Sequence, residues 1–290
     1  MTRCEKVSAV VLCYNEAPNI RHCLESIKDF CDVFVVDSGS TDGTVEICRE
    51  FTDNIHVNKY INHAAQWQWA LDNLPIRTEW VLALDADFTV SAELKDRMAQ
   101  ALGDISVNVS GIYVRHLYHF GGNLIRFGGT KQYWLRLIRK GRAYPDPSEL
   151  VDFRFVGDGK MLRWRESVIE YNRHDDDIST WIGKQDKFSL RLAVEEELRR
   201  SGAKQWSVKP RFFGHTDERI AWLRDRWLHF PLFVRPVLYF IYRYFLALGF
   251  LDGRGGFLYH VLQGFWLRLI VDWKTMQIRK ARLSSQEMLE

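Results

Sequence analysis

Residues 80–87 read Trp80-Val81-Leu82-Ala83-Leu84-Asp85-Ala86-Asp87, and this stretch decides the class of fold. Its five leading apolar residues are unbroken, which predicts a strand buried on both faces, because a strand with one solvent-exposed face would alternate. Two carboxylates follow at the end of the strand, where open α/β sheets bind their ligands. Oxygen ligands of this kind suit a hard divalent cation, and such a cation suits a diphosphate.

The chain on either side of this stretch alternates between strand and helix patterns. Apolar runs at residues 7–13, 33–36 and 55–57 predict further buried strands. Helical patterns cover residues 18–27, 44–51, 64–74 and 91–102, the last with Ser91 as its expected N-cap. This alternation predicts an α/β fold with a mostly parallel sheet and helices on both of its faces.

Polar clusters follow three of the predicted strands, at residues 14–16, 37–42 and 85–87. The carboxyl ends of parallel strands share one edge of a sheet, so these clusters should converge in space. For any single cluster a simple polar turn is the better explanation, but not for all three together. The first strand is followed by no Gly-x-Gly-x-x-Gly and the chain has no Walker loop, which argues against dinucleotide and P-loop binding.

The bulk composition describes a folded protein and excludes several classes. Of the 290 residues 47% are hydrophobic, and the net charge of +3 is too small to indicate a nucleic-acid partner. The five cysteines lie in the first 48 residues without a Cys-x-x-Cys pair, which favours reduced thiols and a cytoplasmic location. The first six residues are too polar for a signal peptide.

Three motifs together resemble family 2 glycosyltransferases with the GT-A fold. They are Val10-Val11-Leu12-Cys13-Tyr14-Asn15-Glu16, Val35-Val36-Asp37-Ser38-Gly39-Ser40-Thr41-Asp42-Gly43-Thr44 and Leu84-Asp85-Ala86-Asp87. The segment at residues 62–71 is similar to the corresponding segment of lipopolysaccharide-core glucosyltransferase relatives. The resemblance is strong over residues 7–100 and looser to about residue 200, and it is specific for the family but not for the sugar.

The resemblance implies a nucleotide-binding role for five residues. Tyr14, Asn15 and Glu16 would line the base and ribose of a nucleotide-sugar donor. Asp37 would hydrogen-bond the base, which is usually uracil in this family. Gln66 lies where relatives approach the base or the ribose. The donor is therefore expected to be a nucleoside-diphosphate sugar, most simply a UDP-sugar.

The resemblance also implies a metal site and an inverting reaction. Asp85 would face the ribose and diphosphate, and Asp87 together with Asp85 would hold Mg²⁺ or Mn²⁺. The metal would neutralise the leaving diphosphate without proton transfer. An acceptor hydroxyl would attack the anomeric carbon while a carboxylate removes its proton.

The catalytic base is open among three aspartates. Many relatives place it after a Val-His-Glu step or in a Glu-Asp pair, and the His-Glu pair is absent here. Asp152 is the best match, by its distance from the turn at residues 157–159. Asp175 and Asp176 are rivals, although their run also fits a solvated helix N-terminus with Asp177 as the cap. His63 and His116 lack metal-site spacing and are interpreted as structural or incidental.

The last part of the chain is basic and aromatic. Residues 219–282 hold 11 Lys and Arg against three Asp, and 15 aromatic residues lie between residues 222 and 273. Residues 230–251 are mostly apolar but are interrupted by Arg235 and Arg243, and a mid-bilayer arginine is disfavoured by ~3 kcal/mol. We therefore expect amphipathic helices lying in the headgroup region of an anionic membrane. A packed helical appendage is the alternative, and we expect no nucleic-acid partner because no recognised module accompanies this patch.

These observations predict a GT-A domain over residues 1–214 and a helical, membrane-surface appendage over residues 215–290. A Phe-Leu-Asp-Gly-Arg turn at residues 250–254 is similar to turns in family relatives that act on lipid-linked acceptors. The predicted protein is an inverting, metal-dependent glycosyltransferase at the inner face of the cytoplasmic membrane, with a lipid-linked or bacterial-envelope glycan as acceptor. The alternatives are a nucleotidyltransferase and a non-catalytic nucleotide-sugar or membrane-binding protein.

Overall fold

The computed structural model describes residues 3–129, 132–147, 154–206, 209–214 and 216–287. By its contacts the chain divides into two compact units. The first comprises Met1–Arg126, Thr130–Glu149 and Phe153–Asp176, and the second comprises Phe127–Gly129, Leu150–Asp152 and Asp177–Glu290. The predicted domain boundary at residue 214 stays a prediction, because these units are defined by contacts and not by function.

The first unit contains the alternating strands and helices that the sequence predicts. In chain order its elements are β1 (Val7–Cys13), α1 (Ala17–Ile27), β2 (Asp32–Asp37), α2 (Thr44–Arg49), β3 (Ile55–Val57), α3 (His63–Asn73), β4 (Trp80–Asp85), β5 (Phe88–Val90), α4 (Ala92–Ala101), β6 (Val109–Phe120), β7 (Asn123–Ile125), β8 (Gln132–Arg139), β9 (Ala143–Pro145), β10 (Phe155–Gly157) and β11 (Lys160–Glu170). The side chain of Ser91 accepts a hydrogen bond from the N–H of Leu94, as expected of the N-cap of α4.

The main sheet has the strand order β3-β2-β1-β4-β8-β6-β11-β5, with β7 paired to β6. The first four strands of this order are parallel, whereas β8 runs antiparallel to both β4 and β6. Cys13 is in register with Asp37, and Leu12 is in register with Asp85. The ends of β1, β2 and β4 therefore meet at one edge, as the sequence predicts.

The two faces of the sheet carry separate hydrophobic clusters, which explains the unbroken apolar runs. In β4, Trp80, Leu82 and Leu84 pack on the face covered by α1 and α4. Val81 and Ala83, which alternate with them, pack on the opposite face with Trp67 of α3. Because successive side chains of a strand point to opposite faces, a strand covered on both sides must be apolar throughout. The five cysteines are free and buried.

The second unit is helical. Its helices are α5 (Ile178–Arg200), α6 (Thr216–Leu228), α7 (Val234–Ile241), α8 (Gly253–Tyr259) and α9 (Leu267–Glu287). The Asp177 side chain accepts hydrogen bonds from the N–H groups of Ser179 and Thr180, which confirms it as the N-cap of α5. Helices α5 and α9 pack together around Ala193, Leu267 and Val271.

In the described part of the chain, no single helix has the length and apolar character needed to cross a bilayer. Two consecutive segments, Val234–Leu246 and Gly249–Arg282, meet the length and composition requirement only when taken together. A bend of 69° separates them.

Candidate functional site

The loops after β1 and β2 are tied together by direct hydrogen bonds. The Asn15 N–H donates to Ser40 Oγ (2.8 Å), and the Asn15 side-chain oxygen accepts from the N–H of Thr41 (2.8 Å). The Glu16 N–H donates to Thr44 Oγ1 (2.8 Å). Asn15 has a φ of 54°, a left-handed conformation that asparagine tolerates better than most residues. The predicted nucleotide-binding residues of these two loops therefore form one connected structure.

Asp37 is buried at the end of β2 and organises its own loop. One carboxylate oxygen accepts from the N–H groups of Gly39 (2.8 Å) and Ser40 (2.9 Å), and the other accepts from the Ser40 hydroxyl. The Cys13 thiol also donates to this second oxygen (3.6 Å), so four protein donors meet the roughly four lone-pair sites of the carboxylate. The predicted contact between Asp37 and the base stays a prediction.

Gln66 is also buried, and its amide is engaged by protein groups. Its Nε2 donates to the Asn58 carbonyl (3.1 Å) and to Ser38 Oγ (3.2 Å), and its Oε1 accepts from Asn58 Nδ2 (2.8 Å). Gln66 thereby links α3 to the segments that follow β2 and β3. Its predicted approach to the base or ribose is not tested by this geometry.

Asp85 is clamped between two side chains that sequence analysis had not connected to it. Arg136 Nη2 donates to Asp85 Oδ2 (2.9 Å), and His63 Nε2 lies 3.2 Å from Oδ1. Arg136 is only 1% exposed and lies over the rings of Phe88 (4.6 Å) and Trp134 (5.0 Å). Burial acts to raise the pKa of Asp85, but Arg136 and His63 outweigh it and hold that pKa well below its usual range.

Asp87 has the opposite electrostatic environment. Burial and then the charges of Glu170, Asp85 and Glu16 raise the pKa of Asp87 well above its usual value. The Tyr171 N–H donates to the Asp87 carbonyl (2.9 Å), which places the end of β11 beside it. Carboxylates from the ends of β4 and β11 and from the loop after β1 therefore act on one another at this edge.

This set of carboxylates fits a divalent cation that also binds a diphosphate. Among the described residues, no group of three or more His, Cys, Asp or Glu side chains forms a complete metal site. Mg²⁺ normally takes only one or two protein carboxylates and fills its remaining positions with substrate phosphates and water. Because both oxygens of Asp85 already have protein partners, Asp87 is the better placed ligand of the two predicted.

Glu170 and His116 belong to the same edge and were missed from the sequence. His116 is fully buried, and its Nε2 lies 2.9 Å from Glu170 Oε2. Burial and then the charge of Arg136 lower the pKa of His116 to about 3. The interpretation of His63 and His116 as structural or incidental did not foresee that both contact acidic residues of the site. For Glu170 the available signal was a carboxylate at the end of a strand, and for His116 there was none.

The predicted base residues differ in how far the structure describes them. Asp152 lies outside the described residues, as does the side chain of Asp176. Asp175 lies in a short 3-10 turn, Arg173–Asp176. This turn is attached to the loop after β1, because His174 Nε2 lies 3.2 Å from the Asn15 carbonyl oxygen and 3.7 Å from Glu16 Oε2.

The chain belongs to the glycosyl transferase family 2, whose model matches residues 8–163. That range contains the motifs after β1, β2 and β4 that define the site. The predicted family and α/β class are thereby confirmed. As expected of the GT-A fold, the edge of the parallel strands carries the motifs. Helices follow at the C-terminal end, as predicted.

The chain is similar to several known proteins. It is 27% identical over 172 residues to the lipopolysaccharide core biosynthesis glycosyltransferase LpsC of Rhizobium meliloti, covering 58% of this chain and 63% of that one. It is 34% identical over 128 residues to the glycosyltransferase AglE of Haloferax volcanii, covering 40% and 41%. The chain thus spans less than two thirds of the length of these relatives.

The chain also matches two solved structures at low similarity. S. aureus TarS 1-349 gives a TM-score of 0.42 at 15% identity, covering 95% of this chain and 92% of that one. Glucosyl-3-phosphoglycerate synthase from Mycobacterium tuberculosis, in complex with Mg²⁺ and UDP, gives 0.31 at 16% identity, covering 40% and 44%.

Proposed function

We propose that the protein is an inverting, metal-dependent glycosyltransferase that moves a sugar from a nucleoside-diphosphate donor, most simply a UDP-sugar, to a lipid-linked or cell-envelope glycan. The observation that carries this proposal is the convergence of Glu16, Asp85, Asp87 and Glu170 at the edge of the sheet in a family 2 chain. The similarity to a lipopolysaccharide core biosynthesis enzyme supports an envelope acceptor.

Asp85 and Asp87 would have different tasks at the donor. Asp87 would hold the Mg²⁺ or Mn²⁺ ion, which when bound supplies positive charge against the leaving diphosphate. Asp85, fixed by Arg136 and His63, would accept hydrogen bonds from the ribose hydroxyls. Its low pKa keeps it an acceptor across the physiological pH range.

The loops after β1 and β2 would bind the nucleoside. Tyr14 is 58% exposed beside this edge, so a base could cover its ring. Asn15 and Glu16 would contact the ribose side while their backbone bonds hold the loop in place. Asp37 would hydrogen-bond the base, and Gln66 would support the loop after β2 through its hydrogen bond to Ser38.

The reaction requires a carboxylate that takes the proton of the acceptor hydroxyl. As that oxygen bonds to the anomeric carbon, the bond from this carbon to the diphosphate oxygen breaks and the configuration inverts. Asp152 remains the first candidate for the base, with Asp175 and Asp176 as rivals. The attachment of the Asp175 turn to the Glu16 loop supports Asp175 as a group near the donor.

We further propose that the enzyme works at the inner face of the cytoplasmic membrane, with residues 215–290 as its membrane-surface part. The buried free cysteines agree with a reducing compartment. The excess of basic residues in 219–282 would be attracted to an anionic leaflet.

Calorimetric titration tests the donor site directly. We expect UDP to bind in the presence of Mn²⁺ or Mg²⁺ and to bind at least ~10-fold more weakly in the presence of EDTA, because the diphosphate then faces uncompensated carboxylates. GDP and dTDP serve as matched nucleotides of different base. Failure to bind any of the three would rule out the proposed function.

Substitution of the candidate bases separates catalysis from binding. Asp152→Asn is expected to lower the turnover of a UDP-sugar by ~100-fold or more while the UDP affinity stays unchanged, since general base catalysis contributes 10²–10⁴-fold. Asp175→Asn is the parallel variant, and Asp177→Asn is the control, because Asp177 caps a helix. A wild-type protein that binds nucleotide but shows neither transfer nor hydrolysis of any UDP-sugar would favour the non-catalytic alternative, and pyrophosphate release would favour a nucleotidyltransferase.

A further inference from the structure

The second unit exposes many large apolar side chains between residues 234 and 258. Helix α7 continues through a π-helical turn, Tyr242–Leu246, so that residues 234–246 form one helical stretch. Large apolar side chains recur along it at spacings of three and four residues and are exposed. They are Val234, Val237, Leu238, Ile241, Tyr242, Phe245 and Leu246. Five more exposed apolar residues follow them, Leu248, Phe250, Leu251, Phe257 and Leu258. We call these twelve residues together the apolar face.

The two arginines that interrupt this stretch in the sequence point into the protein. Arg235 is 2% exposed, is paired with Asp272 and donates to Glu196 Oε2 (2.7 Å). Arg243 is buried as well, and its Nε donates to the Gly128 carbonyl (2.9 Å). The expected penalty for placing these arginines in lipid therefore does not apply to the apolar face.

The segment that carries the apolar face has almost no exposed charged side chains. In the fully described range 230–258, Arg254 is the one exposed charged residue. Asp252, the acidic residue of this range, is half-buried and accepts a hydrogen bond from the Phe127 N–H (2.9 Å). A protein partner normally meets a polar rim with several hydrogen bonds, whereas this surface offers almost only carbon.

The length of the apolar face does not suit a membrane span. A helical stretch of residues 234–246 is about 20 Å long, and a bilayer core is ~30 Å thick. The 69° bend before Gly249–Arg282 turns the chain away from the direction of the first segment. The apolar surface is short and bent, and the residues on either side of it, 219–229 and 259–282, hold eight Lys and Arg against two Asp. This combination matches a helix pair that lies within one leaflet.

We propose that the apolar face enters the boundary between headgroups and acyl chains of an anionic bilayer, as a bent helix pair that lies in one leaflet without crossing it. Aromatic and aliphatic side chains would contact the acyl chains, and Arg254 would contact lipid phosphates. This inference deepens the membrane part of the proposed function and rests on that part alone, because it uses no residue of the nucleotide site.

Flotation of the full chain with lipid vesicles tests this proposal. We expect the wild-type protein to float with phosphatidylcholine vesicles that contain phosphatidylglycerol, and less with pure phosphatidylcholine. The double variant Leu238→Asp with Phe245→Asp should lower the bound fraction at least ~10-fold, because each buried Leu or Phe side chain contributes strongly to partition. The matched control is Val107→Asp with Leu190→Asp, two exposed apolar residues outside the face, and it should float like the wild type.

Three outcomes would overturn the proposal: no flotation of the wild type, equal flotation of the double variant, or a dimer in gel filtration that the double variant dissociates. The last would assign the apolar face to a second copy of the chain. Circular dichroism of each variant checks that it is folded. UDP binding by each variant is measured separately, so that failure of the membrane proposal is distinguished from failure of the proposed transferase function.

Discussion

Asp87→Asn is expected to abolish cation-dependent binding of UDP while leaving the protein folded. The asparagine keeps the size of the side chain but removes the negative charge that a divalent cation requires. We expect the UDP affinity in Mn²⁺ to fall by ~100-fold or more, a loss similar to that of other single electrostatic contacts in active sites. Calorimetry with and without EDTA measures this effect.

The same variant should keep its stability or gain some. Asp87 is surrounded by the charges of Glu170, Asp85 and Glu16, which disfavour its ionised form. Removing it without metal relieves this repulsion, so the free energy of unfolding should stay equal or rise by ~1 kcal/mol. Asp29→Asn, on the exposed surface, is the matched control and should change neither quantity. A destabilised Asp87→Asn protein, or one that still binds UDP in a cation-dependent way, would contradict the assignment.

Arg136→Met is expected to destabilise the protein by about 3 kcal/mol. Breaking a buried ion pair costs ~3–5 kcal/mol because a charge is left without its partner, and the lower figure applies because Asp85 keeps His63 and some solvent contact. Urea denaturation of wild type and variant gives the difference in free energy of unfolding. The exposed Arg165→Met, on β11, is the control and should cost little.

A double variant identifies the source of that cost. If the cost comes from the Asp85 charge left without its partner, removing that charge should recover part of it. Arg136→Met with Asp85→Asn should then be more stable than the sum of the two single changes predicts, by ~1–3 kcal/mol. Additive effects, or equal losses for Arg136→Met and Arg165→Met, would show that the pair does not hold Asp85. In that case the role proposed for Asp85 at the ribose would lose its structural support.

Much of the site could be predicted because its motifs lie at the ends of regular elements. The unbroken apolar run before Asp85 requires a strand covered on both faces, and parallel strands bring their ends to one edge. The partners of those motifs could not be predicted in the same way. Arg136 lies 51 residues from Asp85, in a strand of opposite direction. Its apolar neighbours Leu135 and Leu137 indicate burial, but nothing in the sequence identifies Asp85 as its partner.

The C-terminal region shows the same division. Its composition predicted basic and aromatic helices. In the sequence alone, Arg235 and Arg243 interrupt the apolar run and argue against its burial in lipid. The packing of the second unit turns both inward, to Asp272, Glu196 and the Gly128 carbonyl. Local patterns of apolar and polar residues therefore determined the elements, the family motifs and the edge at which they meet. The ion pairs and the exposed face depended on contacts between residues distant in the sequence, which only the tertiary structure brings together.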